Sequence, residues 1–211
     1  MRGKRDPPRF VAAGERNGSK AIGRRFLPAA VIPFSVSRAV RHATVDDAWV
    51  IHEIARQSWH AAYDDLLGPE TVDDVVDEWY AIGDLESSIT EANGRRDAAF
   101  LVASDPPAAG TEGETDSRGF AHAVPWPEDR SVAFLARLYV RPDKWNDGTG
   151  TALLDALVTE LPAAFDRLRL AVLAANEIGI SFYESTGFEH VETRPSDLGT
   201  DLEERVYEKS I

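Results

Sequence analysis

The stretch RLYVRPDKWNDGTGTALLDALV, residues 137–158, joins an apolar strand pattern to an apolar helix pattern through a turn that holds two glycines. The residues of the turn, DGTG at 147–150, are poor formers of both strand and helix, so their presence needs a reason. Glycine lets a backbone approach a ligand closely, and the amides at a helix N-terminus carry a partial positive charge that suits phosphate oxygens. The turn therefore predicts that the amides of residues 146–151 face a phosphorylated cofactor, with a simple tight turn as the alternative.

Two common nucleotide-binding motifs do not fit this turn. The dinucleotide fingerprint requires a third glycine, and Leu153 stands at that position. A P-loop requires Gly-Lys followed by Ser or Thr, and the sequence has no such continuation here. Nicotinamide binding and nucleotide hydrolysis both lose support.

The hydrophobic pattern predicts an α/β (α+β) chain. The run at 168–175 is apolar enough for a buried parallel strand, so residues 131–175 are expected to form a strand-helix-strand crossover within a mixed sheet that has helices on both faces. Thr44, with Asp47 three residues later, predicts a helix cap. Strands are predicted at 38–43, 98–104, 119–126, 131–140, 168–175, 188–194 and 203–209. Helices are predicted at about 45–62, from Pro69, and at 84–92, 149–160 and 177–186.

Length and charge divide the chain into two parts. Its 211 residues suit one domain plus appendages. Residues 1–41 carry ten Lys or Arg against two acidic residues, whereas the remainder carries 13 basic and 34 acidic residues. Proline, glycine and the lack of periodicity predict that residues 1–37 are a basic, disordered extension, and that the folded domain spans 38–211. The acidic surface of the domain resembles that of proteins from salt-loving cells. Such a surface should repel nucleic acid, so a nucleic-acid partner could bind only to the basic extension.

Composition also limits the compartment and the metal chemistry. No apolar run reaches the roughly 18 to 20 residues that cross a bilayer and no secretion signal is evident, so we expect a cytoplasmic protein without a membrane partner. The chain has no cysteine, which excludes disulfides and thiolate metal sites. Its five histidines lack ligand-type spacing, so no metal is expected. A homodimer is left open.

Three segments, in order, resemble the GNAT superfamily of acyl-CoA-dependent N-acyltransferases. LARLYVRP with WNDGTGTALL is similar to the family's strand and pyrophosphate loop, NEIGISFYESTGF (176–188) to its Asn-to-Gly-Phe signature, and VRHATVDDAWVIHEI to its opening strand and helix. The resemblance covers residues 38–209. It implies a GNAT-like, mostly antiparallel sheet with one parallel β-α-β crossover, acetyl-CoA as co-substrate, and acetyl transfer to a primary amine of a small molecule. The alternatives are a peptide or protein N-acetyltransferase, a non-catalytic acyl-CoA sensor, and a nucleic-acid-associated protein.

The resemblance also implies roles for particular residues. Tyr183 would be the catalytic acid for the departing thiolate, and Asn176 would bond the pantetheine arm or cap a helix, or both. The family's loop has Gln or Arg where this chain has Trp145, and Asp147 adds negative charge next to the phosphates. The cofactor-binding residues that the resemblance implies are Leu138, Tyr139, Val140, Lys144, Trp145, Asn146, Asp147, Gly148, Thr149, Gly150, Thr151 and Asn176.

The sequence leaves the catalytic base and the acceptor site open. Many relatives carry a Glu on the strand before the loop, where this chain has Phe134 and Ala136. His122 leads as the base because histidine titrates near neutrality. The other candidates are Glu128, Asp129, His52 and His60. Residues that could select a cationic amine, with core packing or an acidic surface as the alternative, are Trp59, Tyr63, Asp64 and Asp65.

Overall fold

The computed structural model describes residues 39–105, 116–199 and 201–211, together with the two-residue strand Val11–Ala12. Apart from that strand, the predicted disordered extension lies outside the described residues. The strands are β1 (Val11–Ala12), β2 (Ala39–His42), β3 (Ala99–Ser104), β4 (Ser117–Trp126), β5 (Asp129–Val140), β6 (Arg167–Leu173), β7 (Glu189–Pro195) and β8 (Glu203–Ser210). The helices are α1 (Ala48–Leu67), α2 (Pro69–Trp79), α3 (Ile82–Asn93), α4 (Thr149–Glu160) and α5 (Glu177–Ser185).

Seven strands form one sheet in the order β2-β3-β4-β5-β6-β8-β7, and β1 pairs in parallel with β5. Strands β5 and β6 are parallel and are joined through α4, which is the predicted crossover. The other neighbours in that order are antiparallel. The prediction of a mixed, mostly antiparallel sheet with one parallel β-α-β crossover is therefore confirmed.

Strand β5 contributes buried side chains to both faces of the sheet. Leu138 and Val140 belong to the apolar cluster that includes Leu153 and Leu157 of α4. Tyr139, which lies between them, belongs to the cluster formed by α1, α2 and α3. Successive side chains of a strand point to opposite faces, so a single strand packs against two helical layers. The predicted helices on both faces are confirmed.

Helix α1 differs from its predicted bounds at both ends. A short 3-10 turn at Val45–Asp47 precedes it, and the helix continues to Leu67 instead of ending near residue 62. It ends there because Gly68 has φ 81° and Pro69 follows. The predicted cap before it is present, since the amide and hydroxyl of Thr44 donate to the Asp47 carboxylate over 2.8 and 3.1 Å.

Position 119 has no room for a methyl group, because β4 runs close to both β5 and α4 there. A Cβ on Gly119 would lie 2.6 Å from the carbonyl oxygen of Tyr139 and 3.2 Å from the side chain of Leu153. We expect Gly119→Ala to lower the free energy of unfolding by about 1–3 kcal/mol, as measured by urea denaturation.

Gly83→Ala is the matched control for this substitution. Gly83 lies near the start of α3, and a Cβ there meets no neighbouring group within 4 Å. Alanine is favoured over glycine in a helix by about 1 kcal/mol, so this variant should keep or gain stability. Equal losses at both positions would contradict the account of packing at Gly119.

Candidate active site

The pairing between β5 and β6 is confined to the first part of β6. Its ladder joins residues 132–134 to residues 167–169, although both strands continue for several residues beyond it. Past residue 134, the edge of β5 that faces away from β4 pairs instead with β1, at Leu138 and Tyr139. The gap lies towards the carboxyl ends of the two parallel strands, which is where ligands commonly bind in such sheets.

Two residues with positive φ shape the loop between β5 and α4. Asn146 has φ 63° and Gly148 has φ 83°, a left-handed backbone that asparagine and glycine adopt most readily. The indole Nε1 of Trp145 donates to the carbonyl oxygen of Val140 over 2.7 Å. The hydroxyl of Ser58 in α1 donates to the same oxygen over 3.0 Å. Trp145 therefore holds the loop against the end of β5.

The start of α4 presents fewer amides than the sequence predicts. Oδ1 of Asp147 accepts hydrogen bonds from the amide of Thr149 over 2.9 Å and from its hydroxyl over 2.6 Å. This differs from the expectation that the Thr149 amide faces a ligand, because the loop's own carboxylate already accepts from it. Ala152 donates to a backbone carbonyl of the loop, as the next turn of a helix requires. Helix geometry leaves the amides of Gly150 and Thr151 to bind an anion.

Basic side chains around the loop are paired with carboxylates. The guanidinium of Arg118, on β4, contacts both Asp105 and Asp147. Hydrogen bonding to Asp105, followed by the charges of the two carboxylates, raises the pKa of Arg118 despite partial burial. Lys144 lies 3.2 Å from Asp143. Arg118 is shared by two carboxylates, so it offsets part of the negative charge of Asp147.

Asn176 joins β6 to α5 and also reaches α1. Strand β6 ends at Leu173, two residues before its predicted end, because the Asn176 amide donates to the Leu173 carbonyl over 2.9 Å. Oδ1 of Asn176 accepts from the amide of Gly179 over 2.8 Å and so caps α5. That bond fixes the oxygen, so Nδ2 donates to the hydroxyl of Tyr63 over 2.9 Å. The capping role is confirmed, while contact with a cofactor stays a prediction.

Tyr183 lies on α5, and its side chain is 0 % exposed. Its ring packs against Phe182, Phe188 and Tyr207, at centroid distances of 5.3, 5.3 and 6.5 Å. Its hydroxyl has no hydrogen-bond partner in the described part of the chain, which is rare for a buried hydroxyl. Burial, with a smaller effect of the nearby Tyr63, raises the pKa of Tyr183 well above its ordinary value. Such a hydroxyl is suited to bond a ligand atom and to give it a proton.

A second group of buried hydroxyls lies on the face of the sheet covered by α1 and α2. The hydroxyls of Tyr80 and Tyr139 are 2.7 Å apart, and Nε1 of Trp59 donates to them over 3.3 and 3.2 Å. Arg137 lies 5.5 Å from the centroid of the Tyr80 ring. Sequence reasoning missed this group because Tyr80 follows α2 and its partners are distant in the chain. The side chain of Tyr139 therefore belongs to the core, and its backbone pairs with β1 at the edge of β5.

His122, the predicted base, is packed on the sheet. It is 7 % exposed, and its ring stacks on Phe100 with the centroids 4.6 Å apart. Its Nδ1 lies 3.4 Å from the guanidinium of Arg137. A guanidinium has no acceptor, so the Nδ1 lone pair faces Arg137. The role of His122 as a base stays a prediction.

The alternative bases on α1 have partners as well. Nδ1 of His52 lies 2.9 Å from the carbonyl oxygen of Tyr80. His60 lies between Asp64 and Asp73, at 2.7 and 3.1 Å. These contacts tie both histidines to the packing of α1 against its neighbours.

A cavity of about 510 Å³ opens beside the end of β6. Two carboxylates, those of Asp201 and Glu203, line it together with a mostly apolar wall. Such a lining suits the carbon chain and the charge of a cationic amine. Trp59 and Tyr63, which the sequence offered as an acceptor wall, are instead in the core at 0 % and 1 % exposure. The other lining residues are Leu66, Leu173, Ala174, Ala175, Pro195 and Leu202.

The described residues hold neither a cluster of metal-ligating side chains nor a helix suited to span a membrane. Among residues 39–105, 116–199 and 201–211, no three His, Asp or Glu side chains are grouped to hold a metal ion. In that part of the chain, no helix combines the length and the apolar character that a membrane span needs.

A sheet opened between parallel strands, with a glycine-containing helix start beside it and a buried tyrosine on the following helix, defines a protein of the acyl-CoA-dependent acyltransferase class. The model of the Acetyltransferase (GNAT) family matches residues 59–188. The chain belongs to this family, and it is an acetyltransferase by class.

The similarity to known proteins covers nearly the whole folded domain. A spermidine N(1)-acetyltransferase of Thermoplasma acidophilum is 27 % identical over 174 residues, which cover 82 % of this chain and 99 % of that protein. The crystal structure of the PaiA N-acetyltransferase of Thermoplasma acidophilum in complex with coenzyme A has a TM-score of 0.67 at 25 % identity, over 83 % of this chain and 99 % of that one. A ribosomal-protein-alanine N-acetyltransferase of Brucella melitensis shares the fold, with a TM-score of 0.57 at 22 % identity, over 82 % and 99 %.

The two hydrogen bonds of Asn176 can be separated by mutation. We expect Asn176→Ala to lower the free energy of unfolding by about 1–3 kcal/mol, because α5 loses its cap and Tyr63 loses its donor. Tyr63→Phe removes only the second bond, so a smaller loss of about 1 kcal/mol is expected. Urea denaturation measures both. If the two variants lost the same stability, the cap would contribute nothing.

Proposed function

We propose that this protein transfers the acetyl group of acetyl-CoA to a primary amine of a small molecule. The observation that carries this proposal is the buried Tyr183 hydroxyl, which has no partner in the described chain. Its helix, α5, contacts β1, which pairs with the open edge of β5. Family membership supports the reaction class, and the relative solved in complex with coenzyme A supports the choice of donor.

The donor is proposed to lie along the open edge of β5. Its diphosphate would accept hydrogen bonds from the amides of Gly150 and Thr151 within the loop of residues 144–151, where the dipole of α4 favours an anion. The pantetheine arm would follow the backbone of residues 138–140. Because β1 pairs with that edge, the arm and β1 compete for the same positions. Donor binding in this arrangement displaces β1 and brings the thioester towards α5.

The chemistry requires the amine nitrogen to lose two protons, one before it attacks and one as the C–S bond breaks, and the departing sulfur to gain one. A primary amine with an ordinary pKa of about 10.4 is mostly protonated at pH 7, so it must first lose a proton. Its nitrogen then attacks the thioester carbonyl, a C–N bond forms and the C–S bond breaks. The departing thiolate, of ordinary pKa about 8.5, takes the proton of Tyr183. The raised pKa of Tyr183 keeps that proton on the phenol at neutral pH. Of the two protons that the nitrogen loses, one restores the Tyr183 phenol and the other passes to solvent.

His122 is our candidate for accepting the amine proton. Histidine is the side chain whose ordinary titration lies nearest neutrality. Its Nδ1 faces Arg137 at 3.4 Å, which is long for a hydrogen bond, and the proton would be accepted as this contact opens.

The acceptor amine is proposed to enter through the cavity beside β6. Asp201 and Glu203 would attract its charge, and the apolar lining would hold its carbon chain. The net charge of −13 favours the approach of a cation. Because a relative that is 27 % identical is named for spermidine, a short polyamine is the first acceptor to test.

Tyr183→Phe removes the hydroxyl and keeps the ring packing. We expect kcat with spermidine to fall about 10²- to 10⁴-fold because the thiolate loses its acid. The Kd for acetyl-CoA should stay within about threefold, since the hydroxyl acts mainly after binding. CoA release is followed with a thiol reagent, and the chain adds no background because it has no cysteine.

Tyr207→Phe is the matched control, because Tyr207 packs in the same cluster but donates its hydroxyl to Glu184 over 3.0 Å. Its kcat should stay within about threefold of the unmodified enzyme. An unchanged kcat in Tyr183→Phe would remove Tyr183 from the mechanism. Acetylation of peptide N-termini alone would favour a peptide N-acetyltransferase, and donor binding without turnover on any amine would favour a sensor.

A further inference from the structure

Arg118 ties the loop before α4 to the neighbouring strand β4. Its guanidinium contacts the carboxylates of Asp105 and Asp147, and its side chain is 17 % exposed. Asp147 divides its two oxygens between two tasks: Oδ1 accepts from Thr149, while Oδ2 accepts from Arg118. The carboxylate is therefore a structural part of the loop at the anion-binding end of the helix.

A carboxylate in this position conflicts with a bound diphosphate. Like charges a few ångströms apart repel, and the repulsion is stronger where protein replaces water. An apolar residue at 147 would avoid the conflict but would leave the amide of Thr149 without its side-chain acceptor. Arg118 resolves it by placing a positive charge on the second oxygen of Asp147.

We propose that Arg118 is a positioning residue for the acyl donor. By offsetting negative charge at Asp147, it reduces the repulsion between the loop's carboxylate and the diphosphate. Arg118 acts through Asp147 and need not touch the cofactor. This inference rests on the proposed placement of acetyl-CoA at the start of α4.

The two members of this ion pair should change donor binding in opposite directions. Arg118→Met removes the positive charge beside Asp147, and we expect the Kd for acetyl-CoA to rise about tenfold in 0.1 M salt. Asp147→Asn keeps an acceptor for Thr149 and removes one of the two carboxylates paired with Arg118, so the Kd should fall by about two- to threefold. The double variant should bind within about threefold of the unmodified enzyme. Calorimetric titration measures all four proteins.

Salt and steady-state kinetics provide readouts that a loss of structure alone would not move. The Debye length falls from about 10 Å at 0.1 M to about 3 Å at 1 M salt. The deficit of Arg118→Met should therefore shrink to about threefold or less in 1 M salt. The same variant should raise the KM for acetyl-CoA and keep kcat, because the reacting atoms are untouched.

Arg95→Met is the matched control, because Arg95 also bridges two carboxylates, those of Glu91 and Asp97, at the end of α3. Its Kd for acetyl-CoA should stay within about twofold. Thermal unfolding establishes that each variant is folded. If Arg118→Met does not fold, Asp147→Asn alone decides, and weaker binding by that variant overturns the inference.

Two further results would overturn it: Arg118→Met binding acetyl-CoA as the unmodified enzyme does, or the double variant binding as weakly as Arg118→Met. If the unmodified enzyme binds no acetyl-CoA, the proposed donor site fails, and this inference fails with it. If the unmodified enzyme binds and the variants do not follow the expected signs, the inference alone is wrong.

Discussion

The early end of the ladder between β5 and β6 is the constraint on which the rest of the site depends. The strands pair at residues 132–134 and 167–169 and then continue without pairing to each other. Backbone N–H and C=O groups at the edge of a strand need hydrogen-bond partners. The part of β5 that does not pair with β6 can therefore form hydrogen bonds with another extended segment. In this structure β1 takes that place, and a pantetheine arm is suited to take it when the donor binds.

The loop after β5 lies beside this opening and forms the proposed diphosphate site. Two hydrogen bonds to the Val140 carbonyl, from Ser58 and Trp145, hold the end of the strand and the loop together. Left-handed backbone at residues 146 and 148 then directs the chain into α4, so that the helix start lies beside the opening. The position that carries Gln or Arg in many relatives is here filled by a tryptophan whose contact is structural. Backbone amides and charge balance, more than a basic side chain of the loop, therefore carry the proposed diphosphate binding.

All five tyrosines of the chain are buried, and Tyr183 differs from the other four in the hydrogen bonding of its hydroxyl. Tyr63, Tyr80, Tyr139 and Tyr207 all share hydrogen bonds with other side chains. The hydroxyl of Tyr183 has none in the described chain, although leaving a buried hydroxyl unpaired costs about 1–3 kcal/mol. A thiolate that develops during the reaction would give this hydroxyl its partner.

Much of the architecture could be predicted from sequence, because short-range patterns determine it. The apolar periodicity around the glycine turn predicted β5, α4 and β6, and Thr44 with Asp47 predicted the cap that precedes the 3-10 turn before α1. Contacts between residues distant in the chain were not predictable in the same way. Asp147 is part of the turn, but its ion pair depends on Arg118, 29 residues earlier. His122 was favoured for its ordinary titration range, and a linear pattern could not reveal that it stacks on Phe100 beside Arg137.

A crystal structure of the protein with coenzyme A tests the central claim most directly. The account predicts diphosphate oxygens within about 2.7–3.2 Å of the amide nitrogens of Gly150 and Thr151. It also predicts the sulfur within about 4 Å of the Tyr183 hydroxyl, as sulfur hydrogen bonds require. A coenzyme bound elsewhere on the sheet, or a sulfur far from that hydroxyl, would contradict the account.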